Sequence, residues 1–167
     1  MNNAVKELFD FMESNPDSGA CGGCLFDGDG NPAPCFGAMP TIREKFLRTF
    51  KLTNFVSDFD EEKVDKGKNL KKEIREVGFI VGADLMLRKS VLDEVGIFDE
   101  EFFLYFEETE LQFRIQKAGY KTYVIPTSEI IHLEGKSSSN RMHKAKIFGH
   151  SEYYFYNKCY GMVFFRL

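Results

Sequence analysis

Apolar residues recur at helical spacing from the start of the chain. Val5, Leu8, Phe9 and Met12 share one face of residues 4–14, the pattern of an amphipathic helix, and Asn15-Pro16-Asp17 stops the run. The pattern then turns extended: Gly19 to Phe26 predicts a short strand whose glycines permit close backbone packing. Asp27-Gly28-Asp29-Gly30-Asn31-Pro32 reads as a turn by composition. Pro34 and Pro40 keep the next stretch irregular until a helix begins near Thr41, with Ile42, Phe46 and Phe50 on one face. From Ser57 to Glu76 acids and lysines alternate with few apolar anchors, which predicts a solvated, mobile loop, with a charged helix as the other option.

The chain then tightens. Val77 to Leu87 predicts a buried strand, broken by Gly78 and Gly82 where something approaches the backbone. Ser90 is placed to cap a short helix carrying Val91, Leu92 and Val95, closed by Gly96. Glu107 to Ala118 predicts a second helix with Leu111, Ile115 and Ala118 as its inner stripe, ended by Gly119. Short strands are expected at Lys121–Ile125 and Glu129–Leu133, on either side of Pro126. Ser137-Ser138-Ser139-Asn140 opens a last helix over residues 139–167 that is dense in aromatics. Strands alternating with helices predict an α/β fold. The chain opens on a helix, however, and offers too few parallel-type strands for a complete doubly wound sheet. The expectation is one domain over residues 1–167 that forms part of such a sheet.

Composition agrees with a packed domain. Of 167 residues, 43% are hydrophobic and 15% aromatic, enough for a core in a chain of single-domain length. The net charge is −4, with both signs scattered, which excludes the clustered basic face of a nucleic-acid binder. The first fifteen residues lack the apolar core of a signal peptide, and no apolar run reaches the roughly 20 residues that span a bilayer. The four cysteines (Cys21, Cys24, Cys35, Cys159) read as reduced thiols of a cytoplasmic protein.

Candidate chemistry concentrates in Phe106-Glu107-Glu108-Thr109-Glu110-Leu111. Acids in a first helical turn are favoured by the helix dipole, and Glu110 can pair with Arg114 at i,i+4. The aromatic residues before them suggest a sheltered edge, where a carboxylate could serve as a general base. His132, in Ile130-Ile131-His132-Leu133, is either a packed core residue or a ligand for metal or phosphate. His143 and His150 read as surface residues. Cys21-Gly22-Gly23-Cys24 lacks the second ligand pair of a structural zinc site. Asp27-Gly28-Asp29-Gly30-Asn31 opens like a calcium loop, but Ala38 stands where the bidentate Glu is required. Asp27-Gly28-Asp29 and Asp58-Phe59-Asp60 are literal D-x-D sequences in turn or loop context.

From Gly82 the order and spacing of motifs become specific. Gly82-Ala83-Asp84-Leu85-Met86-Leu87-Arg88, Val95-Gly96-Ile97-Phe98-Asp99-Glu100, Phe103-Leu104-Tyr105-Phe106-Glu107-Glu108-Thr109-Glu110-Leu111, Arg114, Ala118-Gly119-Tyr120, Ile131-His132 and Gly135-Lys136-Ser137-Ser138 resemble the second half of family 2, rhamnosyltransferase-like glycosyltransferases. Residues 4–36 resemble the helix, strand and Asp-Gly turn that follow that family's metal-binding D-x-D. The resemblance implies a GT-A, Rossmann-like fold of which the N-terminal nucleotide-binding half is not in this chain. It implies transfer of a sugar from a nucleotide-diphosphate donor to an acceptor hydroxyl of a glycan or lipid-linked acceptor, with inversion, in cell-surface polysaccharide or glycan synthesis. It assigns Glu108 as the base with Glu107 beside it, Gly82, Ala83, Asp84 and Asp99 to substrate binding, and His132 to the metal side. A divalent cation (Mg or Mn) is expected for the intact enzyme. The family pattern prefers Asp at the Glu108 and Glu110 positions, which moves the basic oxygen by about one bond here. The expected setting is the cytoplasm at the inner face of a membrane, with peripheral association and a homo-oligomer both compatible. The alternative is a binding or assembly module that keeps the acceptor-side scaffold without catalysis.

Overall fold

The computed structural model describes residues 3–50, 73–133 and 141–161. Helix α1 (Ala4–Ser14) is capped by Asn3, whose side chain accepts from the Lys6 backbone. It lays Leu8 and Met12 against Cys21 and Ile125, while Val5 and Phe9 stay exposed. Strand β1 (Ser18–Phe26) is buried along nearly its whole length. One edge pairs in parallel with β7 (Lys121–Ile131). The other edge is shared by β6 (Met86–Leu87) and β2 (Pro32–Ala33), both antiparallel. Strand β4 (Arg75–Glu76) adds antiparallel to the far side of β7. A second, two-stranded sheet joins β3 (Phe36–Gly37) to β5 (Phe79–Ile80). The result is a mixed α/β fold.

Several expectations are corrected. The two strands around Pro126 are one strand: between the pairs Gly22↔Val124 and Cys24↔Glu129, β7 advances five residues for two of β1. Pro126 sits in that irregularity, where its missing N–H breaks no ladder bond. The single buried strand expected over 77–87 is instead β5, a 3-10 turn at Gly82–Asp84 and β6, and within it only Ile80 is fully buried. The cause lies in β1, whose glycines admit the turn: a Cβ on Gly22 would stand 2.2 Å from the Asp84 carbonyl oxygen. Of the proposed loop, residues 57–72 lie outside the described residues, and Arg75–Glu76 is an edge strand, not loop.

Helix α2 (Ile42–Thr49) starts at Thr41 with a reciprocal capping box to Glu44. Its Ile42, Phe46 and Phe50 face is exposed, with the two rings 4.5 Å apart. Helix α3 (Lys89–Val95) begins one residue before Ser90, with Arg88 at the cap position. Gly96 closes it at φ +87°. The Arg88 guanidinium reaches back to the carbonyls of Met12, Asn15 and Ser18. Helix α4 (Glu107–Lys117) buries Leu111 and Ile115 against Ala20 and Val91, whereas Ala118 is its exposed C-cap. Helix α5 (Arg141–Tyr160) folds back over α4 through Phe155 and Tyr156, which pack with Phe102, Phe106 and Phe113. The aromatic density read at the end of the chain is therefore a second core.

Candidate active site

The acids at the start of α4 are delivered by an unusual backbone. Tyr105 and Phe106 both take φ +68°, a region that costs a non-glycine residue on the order of 1–3 kcal/mol. Ring contacts offset it: Phe106 packs 5.3 Å from both Phe148 and Phe155, and Tyr105 lies 5.6 Å from Phe148. The double left-handed step aims the first turn of α4 at the 3-10 turn of residues 82–84, and Phe106 offers no side-chain cap. The backbone N–H groups of Glu108 itself, Gly82 and Thr109 lie toward its carboxylate and favour the charged form.

Oε2 of Glu108 is buried without a partner, and so is Oε2 of Glu107. Burial, and then the negative charge of Glu107, push the Glu108 carboxyl above its usual range, against the pull of the backbone donors. Glu108 also lines a cleft of about 230 Å³ between α2, α5 and the start of α4. Phe79, Tyr105, Phe148 and Tyr156 give that cleft aromatic walls, and Glu44 and Glu152 give it further carboxylates. The Lys45 ammonium bonds Glu152 at 2.7 Å across the α2–α5 side. Such a cleft, with a carboxylate in an aromatic wall and one of its oxygens unpartnered, suits a hydroxyl-bearing ligand.

The predicted residues do not all meet. Gly82 touches the Glu108 side chain, and Ala83 is exposed beside it. Asp84 turns the other way: its Oδ2 accepts from the Gly23 N–H at 2.6 Å. Burial raises its carboxyl above the usual range, opposed by that bond. Asp99 is held by Lys158 at 2.6 Å and Tyr154 at 3.1 Å, and the Lys158 ammonium keeps its carboxyl below the usual range. It fastens α5 and does not line the cleft. His132 follows β7, half-buried, with its backbone N–H bonded to the Phe26 carbonyl. His143 and His150 are exposed.

The other candidate motifs are accounted for by packing. Oδ1 of Asp27 accepts from the backbone of Asp29 and Asn31, and the Asn31 side chain bonds both oxygens. Asp27 thus holds its own turn. Cys21 packs toward α1 and Cys24 toward Cys35 on the opposite side, so the C-x-x-C presents no thiol pair. Burial lifts the Cys21 thiol to about 12, and the Cys35 contact together with burial lifts Cys24. Among the described residues no group of three His, Cys, Asp or Glu could hold an ion. The described residues around His132 therefore do not make a complete metal site.

Sequence reading missed the left-handed pair at 105–106, the cleft carboxylate Glu152 and the buried Gln112. The aromatic runs at 102–106 and 153–160 were the available signal for the walls. Nothing local marked the backbone twist.

Comparison with known proteins defines the class. A family model described as "Glycosyl transferase family group 2" matches residues 3–147, and the chain belongs to that family. It is similar to the N-acetylglucosaminyl-diphospho-decaprenol L-rhamnosyltransferase of Mycobacterium tuberculosis, at 29% identity over 140 residues. The same match is found for that enzyme in strains CDC 1551 / Oshkosh and ATCC 25618 / H37Rv. It covers 81% of this chain and 44% of the relative, so the chain spans less than half the length of the curated relatives it matches. The crystal structure of GalNAc-T7 with UDP, GalNAc and Mn2+ matches with a TM-score of 0.49 and 15% identity, covering 96% of this chain and 32% of that one. That likeness is too distant to bear on mechanism.

Proposed function

We propose that this chain forms the acceptor-facing part of an inverting glycosyltransferase in which Glu108 is the general base. The observation that carries the reading is the buried, unpartnered Glu108 oxygen on the wall of an aromatic cleft. In the transfer step the Glu108 carboxylate takes the proton of an acceptor hydroxyl. The acceptor oxygen forms its bond to the anomeric carbon as the bond to the donor's diphosphate oxygen breaks on the opposite face. The electron pair leaves with the diphosphate. A raised carboxyl makes Glu108 a better proton acceptor than an exposed glutamate, with Brønsted behaviour in its favour. Glu107 contributes by keeping that carboxyl high.

Family membership supports a nucleotide-diphosphate sugar as donor. The relative's decaprenol-linked substrate supports a lipid-linked glycan acceptor, hence work at the inner face of a membrane in surface-glycan synthesis. A divalent cation on the leaving diphosphate belongs to the same proposal. It would need ligands other than the described clusters. A non-catalytic module gains no support from a site that keeps a buried acid open instead of pairing it.

The test is steady-state transfer by the protein at its natural length with Glu108→Gln, which keeps size and hydrogen bonding but not basicity. Loss of a general base costs about 10²–10⁴ in kcat, while donor affinity should hold. Turnover within about threefold of the parent, well short of that range, would end the assignment.

A further inference from the structure

Helix α4 touches the 77–82 segment through one stripe of side chains, Glu108, Gln112 and Gln116. Gln116 Nε2 donates to the Gly78 carbonyl at 2.6 Å. Gln112, fully buried, accepts from the Ile80 N–H and donates to the Ile80 carbonyl, both at 2.8 Å. Gly82 lies against Glu108: a Cβ there would stand 3.8 Å from the Glu108 Cβ and Cγ. The steps match: four helical residues rise about 6 Å and two extended residues about 6.6 Å. The stripe runs antiparallel to the strand, with 116 on 78, 112 on 80 and 108 on 82. The Gln112 carboxamide reproduces the two-bond exchange of a β-pair on the edge of β5 that faces away from β3. It also bonds the Glu108 carbonyl at 2.9 Å, so it grips the base residue and the strand at once.

We propose that Gln112 is a positioning residue for Glu108: it sets the register of α4 on residues 78–82 and so keeps the Gly82 backbone against the Glu108 side chain. A slip by one strand residue would turn the Ile80 groups away from Gln112. A slip by two would offer Gly78 or Gly82 in place of Ile80. Either would move Gly82 away from the Glu108 side chain, and with it the support that fixes the direction of the unpartnered oxygen. Gln116 is the outer rung, farther from the acid. Among the described residues, the charged and titratable groups around this acid are Glu107 on its own helix, Tyr105 just before it, Glu44 and Arg48 from α2, and Glu152 and Tyr156 from α5. Gln112 is none of these, so its effect on Glu108 has to pass through geometry. The consequence for turnover rests on Glu108 being the base; the positional claim does not.

The experiment follows the Gly82 amide of the 15N-labelled 167-residue chain as pH is varied. In the unaltered chain the Gly82 proton should move with the ionisation of Glu108, and Glu108→Gln should abolish that movement. Gln112→Met keeps the length and removes both bonds to Ile80. In a folded Gln112→Met the Gly82 movement should be lost or cut to a small remnant, whereas Gln116→Met should keep most of it. If Gln112→Met does not fold, Gln112→Glu, which still accepts from Ile80 but cannot donate when ionised, should show a reduced movement. If neither folds, exchange in the unaltered chain decides: Gly82 and the Gln112 side-chain amide should open together. A Gly82 amide that follows Glu108 unchanged in a folded Gln112 variant, or opens independently of Gln112, would overturn the proposal. Failure of Glu108→Gln to slow transfer would break the proposed function and leave this readout standing.

Discussion

Glu108 and Glu110 leave the same turn of α4, Glu110 buried and Glu108 half-buried with one buried oxygen, yet they are treated in opposite ways. Glu110, 1% exposed, is clasped by Arg114 through both oxygens at 2.8 Å and by Lys158 at 2.8 Å. Arg114 in turn bonds the Val95 and Ile97 carbonyls, and Lys158 reaches Asp99. That side of the helix is a closed network tying α4 to α5 and to the loop after α3. Glu108 has backbone N–H groups and the negative charge of Glu107 nearby, and keeps one buried oxygen without a partner. A buried acid that only holds structure is neutralised, because an unpaired one costs stability. Leaving Glu108 uncompensated makes sense where its proton affinity is used.

The largest expected effects come from exchanging the treatment of the two acids. Glu108→Gln should lose about 10²–10⁴ in turnover, whereas Glu110→Ala should lose about 3–5 kcal/mol of stability by stranding its cations. The folded fraction of Glu110→Ala should turn over near the parent rate. Kinetics with melting curves on both variants shows whether the roles separate. Equal rate losses in the two would erase the comparison.

A smaller effect has a defined sign. A carboxyl raised on folding binds its proton more tightly in the native state. The stability it contributes is full below the unfolded value of about 4.5 and is lost as pH rises through the folded value. Glu108→Gln, which cannot ionise, should therefore melt above the parent near neutral pH and lose that advantage on acidification. Equal melting temperatures from pH 4 to 8 would contradict the raised carboxyl. At the bottom of the scale, Lys45→Met removes a partly exposed pair with Glu152 and should cost under about 1 kcal/mol. A larger loss, read from denaturant midpoints, would mean the cleft wall depends on that pair.

The same contrast shows what the sequence could disclose. The α4 helix, its acidic start and the Leu111–Ile115 stripe follow from local spacing, whereas the choice of Glu108 with Glu107 came from the family resemblance. The turn after Val81 was hidden, because the apolar run 77–87 looks like one strand unless Gly22 is known to lie against Asp84. The roles of Asp84 and Asp99 were equally hidden: their partners Gly23 and Lys158 lie 61 and 59 residues away. Ala118 failed as a core residue because α4 ends there, one residue after Lys117. Pro126 looked like a strand breaker, and only the long register of β7 on β1 shows it inside a bulge.

The most direct measurement is the titration of the Glu108 carboxyl carbon, assigned by its loss in Glu108→Gln. An open, buried acid beside Glu107 predicts a midpoint above the ordinary 4.5, moving down in Glu107→Gln. A midpoint at or below 4.5, insensitive to Glu107, would show a compensated carboxylate and contradict the account of Glu108 as a base held ready.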